Sequence, residues 1–319
     1  MTTPEGTDLV PLAELASTLP APVQTSLIKA LSNIFGGIVA IPAAWIKRPA
    51  QAVEDTTLAR STVTAILAKA VAEKAIKDPL LMEAATELYL PPSIQRTANR
   101  IAVGLRAVEY AAEEANDSTQ AAPPDDDWMN RFMRFAEDAS SERIQDLFGR
   151  ILAGEIFRPG SFSMATLRAV SELDQSIAKD FSWAWEKSID GCLDYDPELQ
   201  RGEGFTRWKR LSEAGLIAPT SITQYLPPYQ PHLGDNSLWS PMCVEDAWIL
   251  VHFTQSSTTN WPHLEFTRVG KQLGALLPRP DYVENMRRAA QRIRTVGLSR
   301  IELHRRGMLP EVIWERSAS

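Results

Sequence analysis

The side chains best suited to chemistry are few and scattered. The 319 residues hold four histidines, His232, His252, His263 and His304, and two cysteines, Cys192 and Cys243. No HExxH pair, CxxC pair or triad spacing joins them, and no P-loop, GxGxxG or GxSxG run is present. A structural zinc site is therefore not expected. His252 and His263 are expected to face each other across a hairpin. Glu155 and Asp174 have adequate capping or solvent explanations. Asp125-Asp126-Asp127 reads as a solvated charge run in a linker rather than a cation site. No catalytic, cofactor or metal residue is assigned, and the expectation is a non-enzymatic protein.

Binding chemistry has three candidate locations. The net charge of −7 argues against a general nucleic-acid binder. Even so, Arg279 to Ser319 holds nine arginines against five acidic residues. Arg207, Lys209 and Arg210, helped by Arg268 and Lys271, form a first basic group suited to phosphates or a partner. Arg287, Arg288, Arg292 and Arg294 form a second, read either as a surface for an anionic partner or as a solvated face paired with acidic residues. The third candidate is the apolar run Ile34 to Ile46, followed by Lys47-Arg48. Its thirteen residues are too short to span a bilayer as a helix. It has two readings. One is an interfacial segment that contacts a membrane through Ile34, Phe35, Ile38, Ile41, Trp45, Lys47 and Arg48. The other is a buried helical hairpin in which Gly36-Gly37 allows close packing.

These residues need elements to position them. The fold class expected is mainly α, with an N-terminal helical domain, a central helical unit and a C-terminal winged-helix-like α+β module. Residues 9 to 115 read as helical throughout, with an apolar stripe at Val63, Ile66, Leu67, Ala70 and Val71. Pro79 and Pro91-Pro92 are expected to separate helices, and Ser93 to cap the next one. Residues 116–127 read as a linker, placing a helical domain over 1–115.

Residues 128–190 read as the central unit. Trp128, Phe132, Phe135 and Ala139 share one helical face. Ser140 caps a helix whose stripe is Ile144, Leu147, Phe148, Ile151 and Leu152. Pro159-Gly160 turns the chain, and Ser161 or Ser163 starts the next helix. Ser171 with Asp174 fits a capping box for a further helix that buries Phe181.

Residues 191–319 read as the winged-helix-like module. A helix carrying Trp208 and Leu211 ends at Gly215. Ala247 to Phe253 is the clearest strand, with Leu264 to Phe266 as its expected partner. Thr267 caps a helix over 269–277, and an Arg-rich helix covers 281–296.

The run Ile144 to Ser163 followed by Thr166 to Leu173 resembles an uncharacterised bacterial family known as domain of unknown function 2806. Phe148 stands where members of that family often carry tryptophan. The stretch Phe35 to Ala52 is similar to a helical entry shared with Abi-alpha-type abortive-infection proteins. The resemblance implies a bacterial protein of the mobile or defence gene pool and supplies no catalytic residues. Within the motif, Gly149, Ala153 and Gly154 permit close helix approach. Arg150, Glu155 and Arg158 form either a buried polar network or a recognition surface.

The resulting expectation is an anti-phage interaction protein of abortive-infection type, without a cofactor. It would be cytoplasmic or peripheral at the inner membrane. Its partner would be a protein encoded nearby or a phage-derived component, with an anionic membrane surface or a second copy of the chain as further partners. The alternative is a winged-helix nucleic-acid-binding regulator.

Overall fold

The structure, a computed structural model, describes residues 9–35, 40–42, 79–115, 121–219, 238–240, 242–253, 261–294 and 297–316. It is mainly α with antiparallel sheets, as expected. The chain divides between Glu172 and Leu173 into two units. Of the stretch expected as a linker, residues 121–127 fall within the first of them, and 116–120 lie outside the described residues.

The first unit runs β1 (Leu9–Pro11), α1 (Leu12–Leu15), α2 (Ala21–Ile34), β2 (Ala40–Pro42), α3 (Pro79–Glu114), α4 (Asp126–Asp138), α5 (Glu142–Phe157) and α6 (Met164–Ser171). β1 and β2 pair antiparallel, so residues 9–115 are not helical throughout. The stripe expected at 63–71 lies outside the described residues. α2 buries Val23, Leu27, Ala30, Leu31 and Ile34, the spacing of one helical face. α3 buries Ile94, Ala98, Ile101, Val103 and Ala107, and packs on α2, α4 and α5.

The break expected at Pro91-Pro92 does not occur. α3 is continuous, and Thr97 Oγ1 donates to Ser93 O at 2.8 Å inside it, so Ser93 is not an N-cap. Two adjacent prolines remove two amide donors. Packing of residues 94–111 on the neighbouring helices holds the helix in spite of that loss. At Gly149 an added Cβ would lie 2.4 Å from Arg106 Cβ, so glycine is what lets α5 close on α3.

Caps set the helix starts. Asp125 accepts from the amides of Asp127 and Trp128 at 3.0 and 3.1 Å, with Asp126 and Asp127 in the first turn of α4. The aspartate run therefore opens a helix and is not a free linker. Ser141, one residue after the expected Ser140, caps α5 through the Ile144 amide. Ser163 caps α6, which ends at Ser171.

The second unit continues with α7 (Gln175–Glu186), β3 (Ser188–Ile189), β4 (Cys192–Asp194), α8 (Pro197–Gln200), α9 (Gly202–Glu213), β5 (Leu238–Trp239), β6 (Cys243–Val244), β7 (Ala247–Phe253) and β8 (His263–Glu265). It ends with α10 (Arg268–Gly274), α11 (Tyr282–Gln291), β9 (Leu298–Arg305) and β10 (Glu311–Glu315). Asp174 alone caps α7, accepting from the Ile177 amide at 2.8 Å, so no capping box with Ser171 forms. Thr267 caps α10 as expected.

The expected β7–β8 hairpin is absent, and with it the facing of His252 and His263. β7 pairs with β9, β5 and β6, in the sheet order β10-β9-β7-β5 with β6 alongside β7. β8 pairs with β4, and β4 with β3. Length and pattern account for this. β7 alternates strictly, with Ala247, Ile249, Val251 and Phe253 inward, and the eight-residue β9 places Ile301 and Leu303 opposite Val251 and Ile249. β8 has only three residues to offer. Met286, Ala289 and Ala290 of α11 are buried in the same core as this inner face. The smaller sheet sits with an aromatic cluster of Phe181, Trp185 and Phe266.

Candidate functional site

The central motif is a turn held by a buried carboxylate. Glu155 is 2% exposed near the end of α5. Its oxygens accept from the amides of Gly160 at 2.6 Å and Phe162 at 3.0 Å. Burial raises its carboxyl above the ordinary glutamate range, against the opposing pull of the Gly160, Phe162 and Ser161 amides. Gly160 adopts a φ of 84°, the left-handed region that favours glycine, which lets the chain turn back over that carboxylate. Trp128 Nε1 donates to Phe162 O at 2.7 Å and ties α4 to the same turn.

Arg150 and Arg158 do not join Glu155. Arg150 pairs with Asp146 at 3.1 Å and lies 4.5 Å over the Tyr110 ring, whereas Arg158 reaches Glu114 at 2.7 Å. Of the two alternatives for these residues, a shared network does not form: Arg150 lies five residues before Glu155, on a different side of α5, and Arg158 is the non-helical residue that ends it.

The basic groups are largely occupied. Arg210 donates to Asp180 at 2.9 Å, and Arg207 lies 3.6 Å from the same carboxylate, pairs with Glu203 and stacks over Trp183. Lys209, Arg268 and Lys271 are exposed. Arg287 makes a two-pronged pair with Glu311 at 2.7 and 2.8 Å and also meets Glu284, which pairs with Arg288 too. Arg292 faces Asp194, and Arg294 lies 5.4 Å over Trp314. The arginines of α11 and the two that follow it are thus matched by local acidic and aromatic groups.

The apolar run is only partly described. Ile34 is 0% and Phe35 4% exposed, both in the core of the first unit, where the Phe35 ring lies against Gly104. These two residues face protein, which corrects the membrane assignment for them. The reason is continuity, since they complete the apolar stripe of α2. Ile41 lies in β2, and Ile38, Trp45, Lys47 and Arg48 lie outside the described residues. Among the described residues no helix is long and apolar enough to cross a membrane.

Two groupings escape a motif search. On the outer face of the larger sheet, Glu302 Oε2 meets both His252 Nε2 and His304 Nε2 at 3.0 Å, and Glu302 Oε1 meets Arg300 at 2.8 Å. Burial pushes the Glu302 carboxyl up, but the hydrogen bonds from His304 and His252 and the charge of Arg300 hold it below the ordinary range. His304 also stacks on Trp248. A carboxylate engaged by three donors is suited to fastening β7 to β9 rather than to taking a proton from a substrate. In the smaller sheet, Cys192, His263 and Glu265 bring one ligand atom each within 4.8 Å of one another. The signal for the first grouping was the alternation of β7 and β9. For the second it was the Ile189-Asp190-Gly191-Cys192 turn, since Asp-Gly favours a tight hairpin.

The β9–β10 hairpin carries the clearest exposed surface. At its tip Met308 is 57% and Leu309 91% exposed, with Val312 at 43% beside them. The Arg287–Glu311 pair and an Arg306 amide bond to Asp246 O at 2.7 Å hold the base.

The family counterpart lies elsewhere in the chain and does not include this hairpin. Residues 102–190 match the family described as "Protein of unknown function (DUF2806)". The matched segment runs from α3 to the turn after β3 and includes the Glu155 turn. No curated protein and no solved structure matches the chain.

Proposed function

We propose that this chain is a non-enzymatic interaction protein of the anti-phage, abortive-infection type, whose second unit recognises a protein partner through the β9–β10 hairpin. One observation carries the binding part: Met308 and Leu309 stand exposed at the tip of a hairpin whose base is pinned by Arg287 and Glu311. Large apolar side chains on a rigid base suit a protein pocket, because little ordering entropy is lost on docking. The defence setting rests on the resemblance to Abi-alpha-type proteins read in the sequence of Phe35 to Ala52, a stretch outside the family match. The partner is a protein encoded nearby or a phage component, and the location is cytoplasmic. A peripheral role at the inner membrane falls to Trp45, Lys47 and Arg48, and flotation with anionic vesicles tests it.

Plating of a phage panel on cells expressing the protein with its neighbouring genes tests the reading. Protection by the wild type that is lost in Met308→Ser/Leu309→Asp, at equal protein level, supports it. Unchanged plating with the wild type overturns the defence role.

A second reading rests on Lys209, Arg268 and Lys271, which are exposed near a helix–strand–helix frame. In that frame Ala218 N donates to Glu265 O at 2.8 Å and Thr267 N to Leu216 O at 3.0 Å. A winged-helix-like regulator predicts salt-dependent DNA binding that weakens on Lys209→Glu or Arg268→Glu. A flat mobility-shift titration at low salt removes it.

A further inference from the structure

We propose that Cys192, His263 and Glu265 form a binding site for one divalent transition-metal ion of the zinc class. The proposal is independent of the hairpin's role. The three residues come from two paired strands. Cys192 lies directly opposite Glu265 in the β4–β8 ladder, and His263 is two residues before Glu265, so the three share one face of the sheet. Their ligand atoms lie within 4.8 Å of one another. Bonds of about 2.0 to 2.3 Å in a tetrahedral arrangement need ligand separations of roughly 3.3 to 3.6 Å, so a contraction of about 1 Å by side-chain rotation suffices.

The imidazole is already oriented for this task. His263 is 2% exposed, and its Nδ1 lies 2.9 Å from Trp261 O. A carbonyl oxygen only accepts, so Nδ1 carries the proton and Nε2 keeps its lone pair. That is the tautomer a metal requires, fixed by the kind of outer hydrogen bond that metal-bound histidines make. The Trp261 ring stacks on His263 at 4.5 Å, and Trp261 Nε1 donates to Asp194 at 2.9 Å, which holds the stack in place. Cys192 is placed by the Asp190-Gly191 turn, with φ values of 48° and 70°.

The donor set selects the ion. One thiolate, one imidazole and one carboxylate match zinc-class metals and not magnesium or calcium, which prefer oxygen alone. Thiolate and carboxylate together balance a dication, and Lys271 and Asp190 beside Cys192 offset each other. Burial, with Glu265 and Asp190 adding to it and Lys271 opposing, pushes the free Cys192 thiol up to about 11. Metal binding at neutral pH must therefore displace the thiol proton. Three protein ligands leave one position for solvent or a further ligand.

The test uses the full chain, stripped with a chelator and titrated with Co²⁺ and then Zn²⁺. The expected result is one equivalent of Co²⁺ with a thiolate-to-cobalt charge-transfer band that Zn²⁺ bleaches. Cys192→Ser should abolish the band, Glu265→Gln should weaken binding by at least about tenfold, and Cys243→Ser should change neither. His263 is buried and its replacement risks misfolding, so the decision rests on these half-exposed and exposed positions. Wild-type metal-free melting of the variants confirms their fold, and Zn²⁺ should raise the melting temperature of the wild type but not of Cys192→Ser. No charge-transfer band with the wild type, or a band that survives Cys192→Ser, overturns the proposal.

Discussion

Each unit buries a glutamate beside a chain reversal or a strand pair, and the two are held in opposite ways. Glu155 in the first unit meets only neutral amides, so burial dominates and its carboxyl titrates high. Glu302 in the second meets two imidazoles and a guanidinium, which overcome burial and hold it low. The difference shows that burial alone does not decide the charge state of a carboxylate. Backbone amides hold a turn together without offsetting desolvation fully, whereas two imidazole hydrogen bonds beside a guanidinium do offset it.

The sharpest way to break this contrast is Glu155→Ala, which leaves the Gly160 and Phe162 amides without their acceptor. Denaturant unfolding should show a loss of about 3 kcal/mol. Glu155→Gln keeps one acceptor oxygen and should lose about 1 kcal/mol. Glu302→Gln should fall between these two, at about 1.5 kcal/mol, because the fold around it keeps the two histidines and can rehydrate them.

The pH dependence should then separate the two sites by sign. Glu155 has a raised folded-state pKa, so its contribution is full below the unfolded value and is lost as pH rises through the folded one. Glu302 has a lowered folded-state pKa, so its contribution is present above the unfolded value and is lost as pH falls through the folded one. Glu155→Gln should flatten the first slope and Glu302→Gln the second in stability measured across the acid range. If one variant flattens both slopes, the contrast is wrong. The smallest effect belongs to Leu309→Asp, whose 91% exposed side chain should change stability by less than about 0.5 kcal/mol. That variant therefore isolates partner binding from folding.

The helices of the central motif were legible because their signals are local. The stripe through Phe148, Ile151 and Leu152, the Pro159-Gly160 turn and the Ser163 cap all lie within one or two turns of what they organise. α3 was misread for the same reason, since Pro91-Pro92 is a strong local signal that packing overrides. Strand β7 was legible from its alternation, but its partner was not. The residues of β9 that complete its inner face, Ile301 and Leu303, sit in a stretch that also carries Arg300, Glu302 and His304. The same distance hid the site chemistry. Glu302 meets His252 across 50 residues of chain. Cys192 reaches His263 only because β8 chose β4 over β7. Spacing motifs record neighbours in sequence, and neither grouping is made of such neighbours.

One feature of the larger sheet bears on how the molecule behaves in a crowded solution. Strand β10 forms an outer border of that sheet, and its register slips between Val312 and Trp314. Glu311 and Glu315 stand at its two ends. A short strand with an irregular register and charged side chains at both ends, Glu311 paired with Arg287 and Glu315 beside Arg300, is a poor template for another extended chain. The border thus discourages runaway strand stacking while the adjoining apolar tip stays open, and attachment is directed to a point rather than along a line.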